Sequence, residues 1–348
     1  MRSKKYLDLY RLIKKKIYDE EYKTGEKLPS KRVLADKMGC SVITVEKAYE
    51  MLIEEGYIVP KERSGYFVCE LEFFASKKEE RFKFSYLQEP ENVPQGQEFE
   101  YALWFKTIRK VISEKGDRLF IKSPAKGCNV LRNAIADYLA RYRGMYAQPE
   151  QIVIGSGAEQ LYEIAFKLLG RDKVYGIENP SYKQIEAVYV GEGAKLSKLK
   201  MGADGIETAS LEDSQIDVLH VTPFRSYPTG VTTSILKRYE YLKWAENGGY
   251  IIEDDFNSEF FIPGQPIESL YSLDSSEKVV YINTFSKSLS PSMRMGYMIL
   301  PKKLNEEYNK KLGGFSCSVP VLDQYILAEF ISSGNFERHL NKMRRKMK

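Results

Sequence analysis

The chain has 348 residues, with 53 Lys+Arg against 48 Asp+Glu, 43% hydrophobic and 29% charged side chains, and four cysteines. That length suits two or three domains with a substantial core. There is no run near the ~18–20 apolar residues of a membrane span, no signal-peptide h-region at the start, and no ligand spacing among Cys40, Cys69, Cys128 and Cys317. Secreted, membrane, disordered and structural-zinc readings are thereby set aside, and reduced thiols in a cytoplasmic protein without a metal site are expected.

The net charge of +5 names no partner, but its placement is uneven. Residues 1–16 carry seven basic side chains against Asp8 alone, and residues 335–348 carry six against Glu337. From the N-terminus, Leu7, Tyr10, Leu12, Ile13 and Ile17 recur at helical spacing up to a Thr24-Gly25 turn. Ser30 is a good N-cap for a short helix carrying Val33, Leu34 and Met38, stopped by Gly39. Ser41 caps the next, with Val45, Ala48, Tyr49, Leu52 and Ile53 on one face and Gly56 at its end. Two β-like runs, 57–59 and 66–68, flank Lys61-Glu62-Arg63-Ser64-Gly65. Three helices and a basic hairpin over residues 1–70 spell a winged helix-turn-helix, whose third helix can enter a major groove while the hairpin reaches phosphate.

Residues 71–81 read as a charged linker. Beyond it, apolar strands at 152–154, 174–177, 218–222, 250–253 and 279–283 alternate with helices such as 130–142, 159–169 and 235–245. That alternation predicts an α/β domain with a mainly parallel sheet covered by helices, in which ligands sit beyond the carboxyl ends of the strands. Those ends carry the chemistry. The first runs into Gly155-Ser156-Gly157-Ala158 and a helix, whose N–H groups suit a phosphate. The fourth runs into Glu253-Asp254-Asp255, three adjacent carboxylates that need a compensating cation and can hold a proton on a heterocyclic nitrogen. The fifth runs into Thr284-Phe285-Ser286-Lys287, with Arg294 seven residues on. A partly desolvated lysine there can form an imine with an aldehyde, while the arginine and hydroxyls hold a phosphate.

The order KLPSKRVLADKMG, SVITVEKAYEMLIEEGYI, LRNAIADYLARYRG, QIVIGSGAEQL, IENPSY, TPFRSYPTG, IIEDDFNSEF, TFSKSLSPSMRMGYMILP and GNFERHLNKMRR resembles the MocR subfamily of GntR-type transcriptional regulators over nearly the whole chain. The resemblance implies a fold-type I aminotransferase-like domain over 82–334, used to sense pyridoxal 5′-phosphate (PLP) or an amine or amino acid. It also implies a homodimer, head-to-tail, on a double-stranded DNA operator. Lys287 would join PLP covalently and Asp254 would face the pyridine nitrogen. Arg294, Ser286 and Thr284, with the N–H groups around Gly157 and Ala158, would hold the phosphate, and Tyr182 would stack on the ring. Arg32, Ser41, Thr44 and Lys47 match the DNA-contacting region, with Gly65 at the wing tip.

The chain also departs from the pattern. Phe256 stands where EDDYDSEF has tyrosine, Arg225-Ser226 where His-Gln is common, and Val42 where arginine is common. The final segment, 335–348, resembles the start of a shortened small domain. On that reading the apolar face of 324–340 (Tyr325, Ile326, Phe330, Ile331, Phe336 and Leu340) would lack cover. No residue takes the substrate-carboxylate role, so Lys287 is not assigned as catalytic. An aminotransferase with an accessory head, or a cofactor-free dimeric regulator, are the alternative readings.

Overall fold

The computed structural model describes residues 5–69, 100–260 and 268–346; the expected linker at 71–81 lies outside them. The chain divides into two compact units, Met1–Asn92 and Val93–Lys348.

In the first unit, α1 (Lys5–Tyr18), α2 (Lys31–Met38) and α3 (Val42–Glu54) precede a hairpin of β1 (Ile58–Lys61) and β2 (Gly65–Val68). The serine caps form as the sequence requires: Ser30 Oγ accepts from the Val33 N–H at 3.3 Å and Ser41 Oγ from that of Thr44 at 3.2 Å. Gly39 ends α2 in the left-handed conformation, φ 58°. Leu9, Tyr10, Ile13 and Ile17 of α1 share a core with Val45, Ala48, Tyr49 and Leu52 of α3, closed by Ile58 and Val68 of the hairpin. Leu12, expected on the buried face, is exposed; Leu9 completes the 9-10-13-17 stripe instead.

The second unit is built on a seven-stranded sheet of β3 (Ile152–Gly155), β4 (Val174–Asn179), β5 (Lys195–Lys200), β6 (Val218–Val221), β7 (Tyr250–Asp254), β8 (Val279–Thr284) and β9 (Gly296–Ile299). The order is β3-β9-β8-β7-β6-β4-β5, and only β9 runs antiparallel to its neighbours. Period-two alternation sends Ile152, Ile154, Tyr281, Tyr297 and Ile299 to one face, against α5 (Asn129–Arg143), α12 (Val321–Ser332) and α13 (Asn335–Lys346). Val153, Val280, Ile282 and Met298 point to the other, against α6 (Ala158–Leu169), α7 (Lys183–Gly191) and α11 (Lys302–Leu312). Remaining helices are α4 (Tyr101–Lys115), α8 (Thr208–Glu212), α9 (Ile235–Glu246) and α10 (Leu270–Leu273).

One expectation is corrected. The face of 324–340 is covered: Ile326, Phe330, Ile331, Phe336 and Leu340 are buried. The cover is α5 and α4, with Trp104 of α4 edge-on to Phe330 at 5.2 Å.

Candidate functional site

The carboxyl ends of β3, β7 and β8, with the loop after β4, enclose a cavity of about 310 Å3. Ala158, Glu159, Tyr162, Tyr182, Tyr227, Asp254, Phe256, Thr284, Ser286, Lys287 and Arg294 line it. Seven side chains singled out in the sequence therefore converge. Gly157 stands beside them: its φ is +104°, and a Cβ there would meet the Arg294 guanidinium at 3.1 Å. The arginine thus packs over a backbone that only glycine leaves open.

Asp254 ends β7 with its side chain buried. Oδ2 accepts a hydrogen bond from the Tyr162 hydroxyl, whereas Oδ1 is buried with no protein partner. Burial, opposed by that hydrogen bond, pushes its carboxyl up to about 7. Lys287 follows β8 and donates to Asn257 Oδ1. Its ammonium lies 5.4 Å from the centroid of the Phe256 ring. Desolvation, and then the charge of Arg225, lower its pKa. Arg294 forms an ion pair with Glu159 on the first turn of α6.

The three carboxylates at 253–255 divide among separate partners. Glu253 accepts from the N–H groups of Leu270 and Tyr271, both at 2.9 Å. Asp255 takes the cation that the sequence called for: Arg143 donates to it at 2.8 Å, and Tyr281 does so at the same distance. Arg143 also lies 3.5 Å from Glu259. Glu253 needs no cation in hydrogen-bond contact, because two backbone donors meet it.

Behind Asp254, the Tyr162 ring packs edge-on to buried His220, whose Nδ1 is 2.8 Å from the Tyr189 hydroxyl. Burial depresses the His220 pKa to about 3, so the ring is neutral in the fold. The native state then binds fewer protons than the unfolded chain between about 3 and the ordinary histidine value. His220 therefore contributes stability that is present above about pH 6.5 and lost as pH falls through that window. Glu178 and Glu253, raised by burial to about 7 and 8, act oppositely as pH rises. A His220→Gln variant should show a smaller drop in urea midpoint between pH 7 and 5 than the parent.

Tyr162, Asn257 and Arg143 were not singled out from the sequence. Tyr162 sits one turn into α6, where a helix-face reading makes any aromatic a core residue. Asn257 had a local signal, three positions after Asp254 in the same strand-end segment.

In the first unit Arg32, Ser41 and Lys47 are exposed and Thr44 is half-buried on α2 and α3. Gly65 flanks the tip of the wing: it opens β2 opposite Lys61, next to the turn of Glu62, Arg63 and Ser64. A Cβ at Gly65 would meet Lys27 at 3.0 Å, so the glycine admits a neighbouring segment.

Comparison with known proteins accounts for both units. Residues 5–68 match the family described as bacterial regulatory proteins, gntR family, and residues 92–348 match aminotransferase class I and II. An uncharacterized HTH-type regulator of Bacillus subtilis, YdeL, is 34% identical over 98% of this chain and 76% of its own length. The probable rhizopine catabolism regulatory protein MocR of Rhizobium meliloti is 28% identical over 97% and 73%. Among solved structures, an archaeal alanine:glyoxylate aminotransferase superposes with a TM-score of 0.64 at 25% identity, over 69% of this chain and 62% of that one. The α-aminoadipate aminotransferase LysN of Thermus thermophilus, complexed with a phosphopyridoxyl-leucine, gives 0.61 at 25% identity, over 71% and 64%. The chain thus spans less than two thirds of these aminotransferases. A gntR-family head, an aminotransferase class I and II body and relatives of this architecture throughout its length agree: the chain belongs to the MocR-type transcriptional regulators, DNA-binding proteins with an aminotransferase-like domain.

Proposed function

We propose that the body binds PLP through Lys287, and that PLP, or an amine or amino acid reaching it, adjusts the affinity of a homodimer for its operator. The observation that carries this reading is that Asp254, whose buried Oδ1 has no hydrogen-bond partner, lines the same cavity as Lys287 and Arg294. The residues fit the group. Asp254 offers a buried acceptor for a protonated ring nitrogen, and Lys287 offers a primary amine whose lowered pKa favours the nucleophilic form. Arg294, Thr284, Ser286 and the N-terminus of α6 at Ala158 suit a phosphate. Tyr182 and Phe256 supply apolar walls, and the cavity volume falls in the range of small-molecule sites. When bound, PLP supplies an aldehyde that bonds to amines and a ring that withdraws electrons. The remaining work belongs to the protein: Asn257 orients Lys287, and Tyr162 orients Asp254. In the head, Arg32, Ser41, Thr44 and Lys47 would face DNA, with Gly65 shaping the wing. A ligand changes DNA affinity only by its differential affinity for the states that fit and do not fit the operator.

Titration of the purified protein with PLP should produce a visible absorption band that Lys287→Ala abolishes, and the same titration should shift DNA affinity in the parent only. A folded parent protein that gains no band would overturn the PLP reading in favour of a cofactor-free body.

A further inference from the structure

We infer that the first turn of α3 reads thymine methyl groups, through Val42 and Ile43. The inference rests on the assignment of α3 as the DNA-reading helix. Two β-branched apolar residues occupy the first two positions of this helix, and they are 43% and 64% exposed. Neither belongs to the core formed by α1, α3 and the hairpin. Their neighbour Val45, by contrast, is fully buried.

The surroundings suit a polyanion. Arg32 on α2 is exposed, as is Lys47, which lies one turn beyond Ile43 on the same face. Glu46, one turn beyond Val42, is neutralised by Lys31 at 2.5 Å. The Ser41 and Thr44 hydroxyls bond to each other at 2.8 Å, closing the start of the helix. A major-groove contact by this turn therefore has no arginine, asparagine or glutamine with which to make the paired hydrogen bonds that distinguish guanine or adenine. The base-edge feature that an apolar side chain recognises there is the C5-methyl of thymine. Because β-branched side chains are stiff at χ1, the two methyl-bearing surfaces are held in place before contact, and little rotamer freedom is lost on binding.

The test takes the full-length chain through selection from a randomised DNA duplex, then measures affinity for the enriched sequence with each thymine replaced by deoxyuracil. The expected result is a motif containing thymines at which loss of the methyl weakens binding about fourfold. That penalty should vanish in Val42→Ala/Ile43→Ala, while Arg32→Ala weakens all duplexes alike. An enriched motif indifferent to deoxyuracil overturns methyl readout and leaves DNA binding standing. Absence of any enriched motif overturns both. The deoxyuracil series on the parent protein needs no variant to fold.

Discussion

Replacing Arg143 with methionine is expected to destabilise the aminotransferase-like unit by about 3–5 kcal/mol, the usual consequence of stranding a buried charge. Arg143 is 6% exposed and its two carboxylate partners, Asp255 and Glu259, are 5% and 4% exposed, so water does not replace the lost guanidinium. The damage should spread to the cavity, because Asp255 follows Asp254 directly and loses its cation, whereas Glu259 keeps Arg344 at 3.9 Å and the Tyr138 hydroxyl. Arg143→Lys should recover only part of the loss, since one ammonium cannot serve the divergent acceptors that a guanidinium fork reaches. Adding Asp255→Asn and Glu259→Gln to Arg143→Met should recover more, because the buried carboxylate that loses its cation is then neutral; Arg344, 17% exposed, gives up its contact with Glu259. The measurement is the urea midpoint of each variant. A triple variant no more stable than Arg143→Met would refute the stranded-charge account.

Asp254→Ala is expected to weaken PLP binding roughly 10- to 100-fold, the weight of a hydrogen bond to a charged group in a buried site. The carboxyl is held near neutrality by burial, and a protonated ring nitrogen would favour its ionised form. Removing the carboxyl therefore removes the buried acceptor that β7 brings to the cavity. Tyr162→Phe leaves Asp254 in place but frees its second oxygen, and should cost about fivefold. Equilibrium titration of each variant by fluorescence, with thermal unfolding as a control for folding, gives the comparison. Equal affinities for Asp254→Ala and the parent would refute the proposed role.

Much of this arrangement was legible in the sequence because strand ends in a parallel sheet announce themselves. An apolar run that stops at Gly155, at Asp254 or at Thr284 marks both where a strand ends and where a ligand can sit. Two strands gave no such signal. The run Lys195-Leu196-Ser197-Lys198-Leu199-Lys200 is an edge strand with one neighbour, and only Leu199 is buried, so its composition follows solvent more than core. The four residues of β9 are too short to show a period, and it was the sheet that recruited them between β3 and β8. The contacts of Asp254 and Lys287 were illegible for another reason: whether Tyr162 faces a core or a carboxylate depends on the register of α6 over β7. The covered face of α12 and α13 belongs to the same class, since its partners lie some 200 residues upstream.

The reversal of β9 also limits how this site can vary in length. Lys287 and Arg294 lie on one return between the paired residues Thr284 and Gly296, both ends pinned by neighbouring strands. A residue inserted between the lysine and the arginine would lengthen the chain by up to about 3.5 Å, against a pocket only a few side chains wide. Substitutions in this return alter one end of the cavity at a time, but insertions and deletions uncouple the two ends. Sequence drift here is therefore expected to proceed by exchange of residues at constant spacing, and a library of loop-length variants should be depleted of PLP binders at every length but the native one.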